Sequence, residues 1–81
     1  MLIISTQFLL MPQKNINRIR VVLAEKNLTN KWLADQLGVS EVTVSRWSKN
    51  LQQPAVEVFV EIADVLHVDI RDLFEPTLPK K

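Results

Sequence analysis

Apolar residues recur at helical spacing along most of this 81-residue chain. Ile16, Ile19 and Leu23, with Val22 beside them, predict an amphipathic helix over 15–26 with Asn15 as its N-cap. Arg18, Glu25 and Lys26 fall off that stripe, and Asn27-Leu28 interrupts it. Thr29 then caps a second helix over 30–37, whose inward positions are Leu33, Ala34 and Leu37. Leu28, just before the cap, is placed to pack on Leu33 as a hydrophobic staple. Gly38, the single glycine of the chain, ends this helix, because only glycine takes a positive φ without steric cost.

Val39 is expected to bury, and Ser40 to cap a third helix over 41–49 with Val44 and Trp47 facing inward. That helix stops at Lys49-Asn50, where asparagine is the second choice for a left-handed terminus. Pro54 precedes a fourth helix over 55–66, with Phe59, Ile62, Ala63 and Leu66 on the inner stripe and Val56 in line. His67 follows at the position where a left-handed residue belongs. Asp69 caps a short last helix over 70–74 that buries Leu73 and either Ile70 or Phe74. Pro76 and Pro79 mark a tail over 76–81. The fold class is all-α, a compact set of five short helices with no strand in the body.

The opening stretch, MLIISTQFLLM, departs from this pattern. It is uncharged, apolar and β-prone. Three readings stay open for residues 1–11: an arm that pairs with a second subunit, a cover for a groove on its own domain, or an upstream misassigned start before Met11. It has no basic n-region or cleavage site, and it falls far short of the roughly 20 apolar residues that span a bilayer.

Composition narrows the function classes. Two Trp, three Phe and no Tyr supply little material for stacking single-stranded bases. There is no cysteine, so neither a disulfide framework nor a thiolate site, which fits a reducing, cytoplasmic setting. The single histidine, His67, lies i, i+3 from Asp64, but nothing supplies a nucleophile or a third ligand. With no glycine-rich phosphate loop either, the expectation is no enzyme, no metal, no cofactor and no small-molecule substrate. Net charge is only +1, yet it is unevenly spread. Residues 11–50 carry seven basic side chains against three acidic ones, and residues 51–81 carry three against six. A basic first half joined to an acidic second half points to a polyanion partner, although a merely solvated surface explains it equally well.

The spacing inside 30–49 is more restrictive. Two helices joined by a short turn cross steeply, so the facing residue of the first must be small. Ala34 is that residue. Gly38 supplies the turn conformation, Val44 is the branched plug of the second helix, and Trp47 extends the seam. This is the logic of a helix-turn-helix. The segments LTNKWLADQLGVSEVTVSRW, Pro54 seven residues after Trp47, and VEIADVLHVDIRDLF resemble the XRE-type helix-turn-helix family of lambda repressor and Cro, over Asn17–Phe74. The chain departs from that family's usual pattern at Asn30 (often glutamine), Ser48 (often glutamate), Asn50 and His67 (often glycine). Asn50 and His67 are tolerated substitutes, Ser48 reads as neutral to the fold, and Asn30 keeps an amide donor.

The resemblance implies a lambda-repressor-like domain over 12–75, with the helix-turn-helix at 30–49 and the third helix in the major groove of double-stranded DNA. Glu41, Val42, Ser45 and Arg46 would then meet base edges. Asn30, Lys31 and Lys49 would touch phosphates, with Ser40 and Thr43 near the backbone. Arg46 suits guanine and Val42 a thymine methyl, while Glu41 suits a cytosine amino group or simply the N-terminus of its helix. Trp32 reads as cover for the core edge. Arg18 and Arg20 either extend the phosphate footprint or form a solvated face. A homodimer is implied, because one domain covers half of a typical site, and Val58, Val65 and Phe74 are either its interface or extra core. The expected function is a sequence-specific, repressor-like bacterial transcriptional regulator. The alternative is a protein-interaction module, such as an antitoxin-like subunit or a coactivator-like adaptor.

Overall fold

The computed structural model describes residues 15–78. Within them the chain forms four α-helices, α1 (Ile19–Glu25), α2 (Asn30–Leu37), α3 (Glu41–Ser48) and α4 (Val56–Leu66), and a 3₁₀ turn at Ile70–Leu73. The fifth helix is therefore a single tight turn rather than an α-helix over 70–74. Its short length has a local cause. Asp69 caps it through Arg71 N–H, and by Phe74 the backbone is already extended. Arg71 also pairs with Asp69 at 3.0 Å, and its hydrogen bonds hold the Asp69 carboxyl below the usual carboxylate range. The β-prone arm over 1–11 lies outside the described residues.

One stripe from each helix closes a single core. Ile19, Val22 and Leu23 of α1, Leu33 and Ala34 of α2, Val44 and Trp47 of α3, Phe59, Ile62, Ala63 and Leu66 of α4, and Leu73 are all buried. Leu28, Trp32, Leu37, Val58, Val65 and Ile70 pack around its edge, so Val58 and Val65 are extra core. Phe74 joins through its ring, 4.5 Å from that of Phe59. Two apolar positions behave otherwise than their spacing suggests. Val56, the first residue of α4, projects past the core and is 73% exposed. Val39 lies on the surface of the inter-helix turn and is also exposed.

The start of α1 is the larger departure. Helix periodicity places Ile16 on the inner stripe and Asn15 at the cap, yet α1 begins at Ile19 and Ile16 is exposed. Residues 16 and 17 stay out of the helix because they pair with the C-terminal segment. Arg18 N–H donates to the Leu73 carbonyl at 2.8 Å, Glu75 N–H donates to the Ile16 carbonyl at 2.9 Å, and Asn17 bridges Phe74 in antiparallel sense. Arg18, not Asn15, is the N-cap residue and makes no side-chain cap bond, while Asn17 Oδ1, one residue before it, accepts from Ile19 N–H at 3.0 Å.

On the other side of Asn17 stands Asn50. Its Oδ1 accepts from the backbone N–H groups of Ile16 and Asn17 and from Gln53 Nε2, and its Nδ2 donates back to the Asn17 carbonyl. Asn17 Nδ2 in turn donates to the Trp47 carbonyl and to Gln53 Oε1, at 2.9 and 2.7 Å. Both asparagines are buried, and among the described residues no buried side-chain polar atom lacks a partner. A closed network of this kind is costly to open, because each orphaned buried group bears its full desolvation penalty.

All four α-helices end alike. Asn27, Gly38, Asn50 and His67 have φ of 57°, 71°, 59° and 57°. Beyond each, the next N–H reaches back five residues: Leu28 to Leu23, Val39 to Ala34, Leu51 to Arg46 and Val68 to Ala63. Three of these left-handed ends use a residue with a Cβ, which costs about 1–2 kcal/mol each. His67 is exposed, with no side-chain hydrogen bond within the described residues, whereas Asn50 anchors the network. Their replacement by glycine should therefore have opposite signs. His67→Gly is expected to stabilise by roughly 0.5–1 kcal/mol, and Asn50→Gly to destabilise by about 2 kcal/mol or more. Denaturant midpoints of the two variants check this, and an Asn50→Gly protein as stable as the parent would remove the network from the account.

Candidate nucleic-acid interface

The α2–turn–α3 unit is built as its sequence asks. Thr29 Oγ1 accepts from Trp32 N–H at 3.0 Å and opens α2. Ser40 Oγ accepts from Thr43 N–H at 3.1 Å and opens α3. Between them Gly38 turns the chain in the left-handed region. Ala34 and Val44 are both fully enclosed where α2 crosses α3, the most extensive helix–helix contact of the domain. With one face of α3 committed to Val44 and Trp47, the opposite face is left uncovered by the other described residues.

That opposite face gathers the residues expected to read bases. Glu41, Val42, Ser45 and Arg46 line one shallow, open concavity with Lys49. Glu41, Val42, Arg46 and Lys49 are exposed, Ser45 and Thr43 half-buried. Val42 stands 60% exposed at the first turn of α3. Lys49 lies just after the last helical residue rather than within α3, as its C-cap. Leu51, which spacing alone does not single out, lines the same concavity and is 68% exposed. The signal that finds it is the left-handed turn at Asn50, which folds Leu51 back toward Arg46, whose carbonyl its N–H reaches at 3.0 Å.

The residues expected at phosphates are less uniform. Ser40 and Thr43 share a hydroxyl–hydroxyl hydrogen bond of 2.9 Å beside the start of α3. Lys31 makes an exposed i, i+4 ion pair with Asp35 at 3.3 Å, a contact weak enough to yield to a phosphate. Asn30 opens α2 half-buried, and its Oδ1 accepts from Ser48 Oγ at 2.8 Å. Ser48 is therefore not neutral to the fold: it is buried and joins the end of α3 to the start of α2. Arg18 is turned elsewhere, donating through Nη1 to the Asp72 carbonyl. Arg20 is exposed on α1.

Gly38 aims α3 by conformation rather than by close packing. A Cβ built there meets nothing within 4 Å, so only the positive φ resists substitution. Gly38→Ala is expected to cost about 1–2 kcal/mol and Gly38→Asn less, since asparagine tolerates the left-handed region. Chemical denaturation of the two variants checks the order, and an alanine variant equal to the parent would show that the turn conformation is not required.

No helix among the described residues is long and apolar enough to cross a membrane. Comparison with known proteins gives two findings. The family model of the Cro/C1-type helix-turn-helix DNA-binding domain matches residues 18–78. A crystal structure of a candidate DNA-binding protein from Bacteroides fragilis is 53% identical to this chain, with a TM-score of 0.73. That alignment covers 74% of this chain and 97% of the other. Among curated proteins no match was found. The turn built on Gly38, the outward face of α3 and the family match over 18–78 agree: the chain belongs to the Cro/C1-type helix-turn-helix DNA-binding family.

Proposed function

We propose that this protein is a sequence-specific transcriptional regulator of repressor type that works in the bacterial cytoplasm, its working unit a domain over 12–75. It occupies a double-stranded operator with α3 in the major groove and carries out no chemistry. The observation that supports this most is the outward face of α3, where Glu41, Val42, Ser45 and Arg46 share one concavity while Val44 and Trp47 are locked into the core. Arg46, exposed and without an ion-pair partner among the described residues, gives bidentate contact to a guanine. Val42, with Leu51 beside the same surface, favours thymine methyls at the flanking positions. Asn30, Lys31, Lys49, Ser40 and Thr43 hold the sugar–phosphate backbone on either side and set the register without reading sequence.

A single domain reads one half-site, so the regulator binds as a homodimer. With Val58 and Val65 packed against the core, and Phe74 exposed but in ring contact with Phe59, the apolar residues of α4 left outward are Val56 and Val60, bordered by Glu57, Glu61 and Asp64. That acidic, partly apolar face suits self-association away from the polyanion.

In vitro selection from random duplexes tests the reading. The parent protein is expected to enrich a two-fold-related site, and its affinity for that site to fall steeply with salt. Arg46→Ala should relax preference at one base pair of each half-site by about tenfold or more. Lys49→Ala should weaken all sequences alike and lower the salt slope by about one. Failure to enrich any duplex, together with recovery of a stoichiometric protein partner, would move the protein to the interaction-module reading.

A further inference from the structure

The hydrogen bond between Ser48 and Asn30 does more than join two helices. Asn30 Oδ1 is taken by Ser48 Oγ at 2.8 Å. No described group bonds Asn30 Nδ2, and no buried side-chain nitrogen or oxygen is left without a partner, so Nδ2 reaches solvent. Ser48 itself is only 5% exposed, on the inner side of α3 next to Trp47. The amide oxygen is therefore taken by a buried hydroxyl, while the amide nitrogen keeps access to solvent at the first residue of α2.

We infer that Ser48 is a positioning residue for phosphate binding by Asn30. This inference rests on the reading above, in which the start of α2 meets the DNA backbone. The terminal torsion of an asparagine is broad and nearly two-fold, so a free amide presents oxygen and nitrogen to its surroundings almost equally. An oxygen facing a phosphate repels it, and a nitrogen binds it through a charge-assisted bond. The Ser48 hydroxyl, which donates to Oδ1, takes up the amide oxygen inside the fold and leaves the nitrogen as the group a phosphate can meet. It also completes a chain from the Ser48 hydroxyl through the amide to the phosphate, in which each hydrogen bond polarises the next. Because Ser48 lies at the end of α3, the same bond ties the phosphate contact to the placement of the reading helix.

The test uses the full chain and a duplex enriched by selection, with single methylphosphonates replacing backbone phosphates one at a time. Parent, Asn30→Ala, Ser48→Ala, Ser48→Thr and the Asn30→Ala/Ser48→Ala double variant are compared, with thermal midpoints recorded for each. Ser48→Ala is expected to weaken binding about fivefold. The double variant should bind within about twofold of Asn30→Ala alone. The Ser48→Ala loss should vanish on the one neutralised phosphate to which Asn30→Ala is also insensitive, and Ser48→Thr, which keeps the hydroxyl, should bind like the parent. Losses that add, or that spread evenly over all phosphates, would mean Ser48 acts only through helix packing and would overturn the inference. So would an Asn30→Ala protein that binds its selected duplex like the parent, an outcome that leaves the operator reading standing. A parent that selects no duplex removes both.

Discussion

Asn50 makes the arrangement possible. It ends α3 in the left-handed region while its carboxamide receives the Ile16 and Asn17 amides and returns a bond to the Asn17 carbonyl. Residues 16–17 lead into the first helix, so α3 is anchored at its far end to that entry segment. The segment is in turn paired with residues Leu73–Glu75. Two stretches distant in sequence are thereby fixed to the end of α3, one directly and one through the other, and both Asn17 and Asn50 are buried from water. The energetic consequence is asymmetric. A complete buried network adds modestly to stability, whereas removal of one member leaves several desolvated groups without partners.

The start of α3 is fixed by different means. Gly38 turns the backbone, Ser40 caps the first turn, and Ala34 is small enough to let α3 approach α2. Held at both ends and plugged into the core by Val44 and Trp47, α3 has no freedom to roll. Its outer face is then defined by subtraction, as whatever the core does not use. The repeated left-handed helix ends keep every connection short, and at such an end the side chain is free for another task. Asn50 uses that freedom and His67 does not.

Much of this was legible in the sequence. Thr29, Ser40 and Asp69 act as caps where the pattern places them, Gly38 and His67 adopt positive φ, and the inner stripes of α2, α3 and α4 are buried as spaced, the exposed Val56 and half-buried Leu37 apart. These features depend on neighbours within one or two turns, which periodicity and cap chemistry sense directly. The start of α1 was not legible. Ile16 and Asn17 satisfy a helical pattern locally, but their amides are claimed by Asn50 and their carbonyls by Glu75 and Asn50, all more than 30 residues away. Ser48 was misread for the same reason, since its partner Asn30 lies on another helix. Leu51 was missed because an apolar residue in a loop has no period to mark it. In the site, then, residues on one helical face could be grouped from spacing, while pairings across helices could not.

The central claim is that the surface left over by core packing on α3 is the surface that meets DNA. Nuclear magnetic resonance of the backbone amides, followed during titration with a selected duplex, tests it most directly. The account predicts the largest shifts at Asn30, at Ser40 through Arg46 and at Lys49, with α4 little changed. Shifts confined to the outer face of α4 around Val56 and Val60, with α3 unmoved, would contradict it.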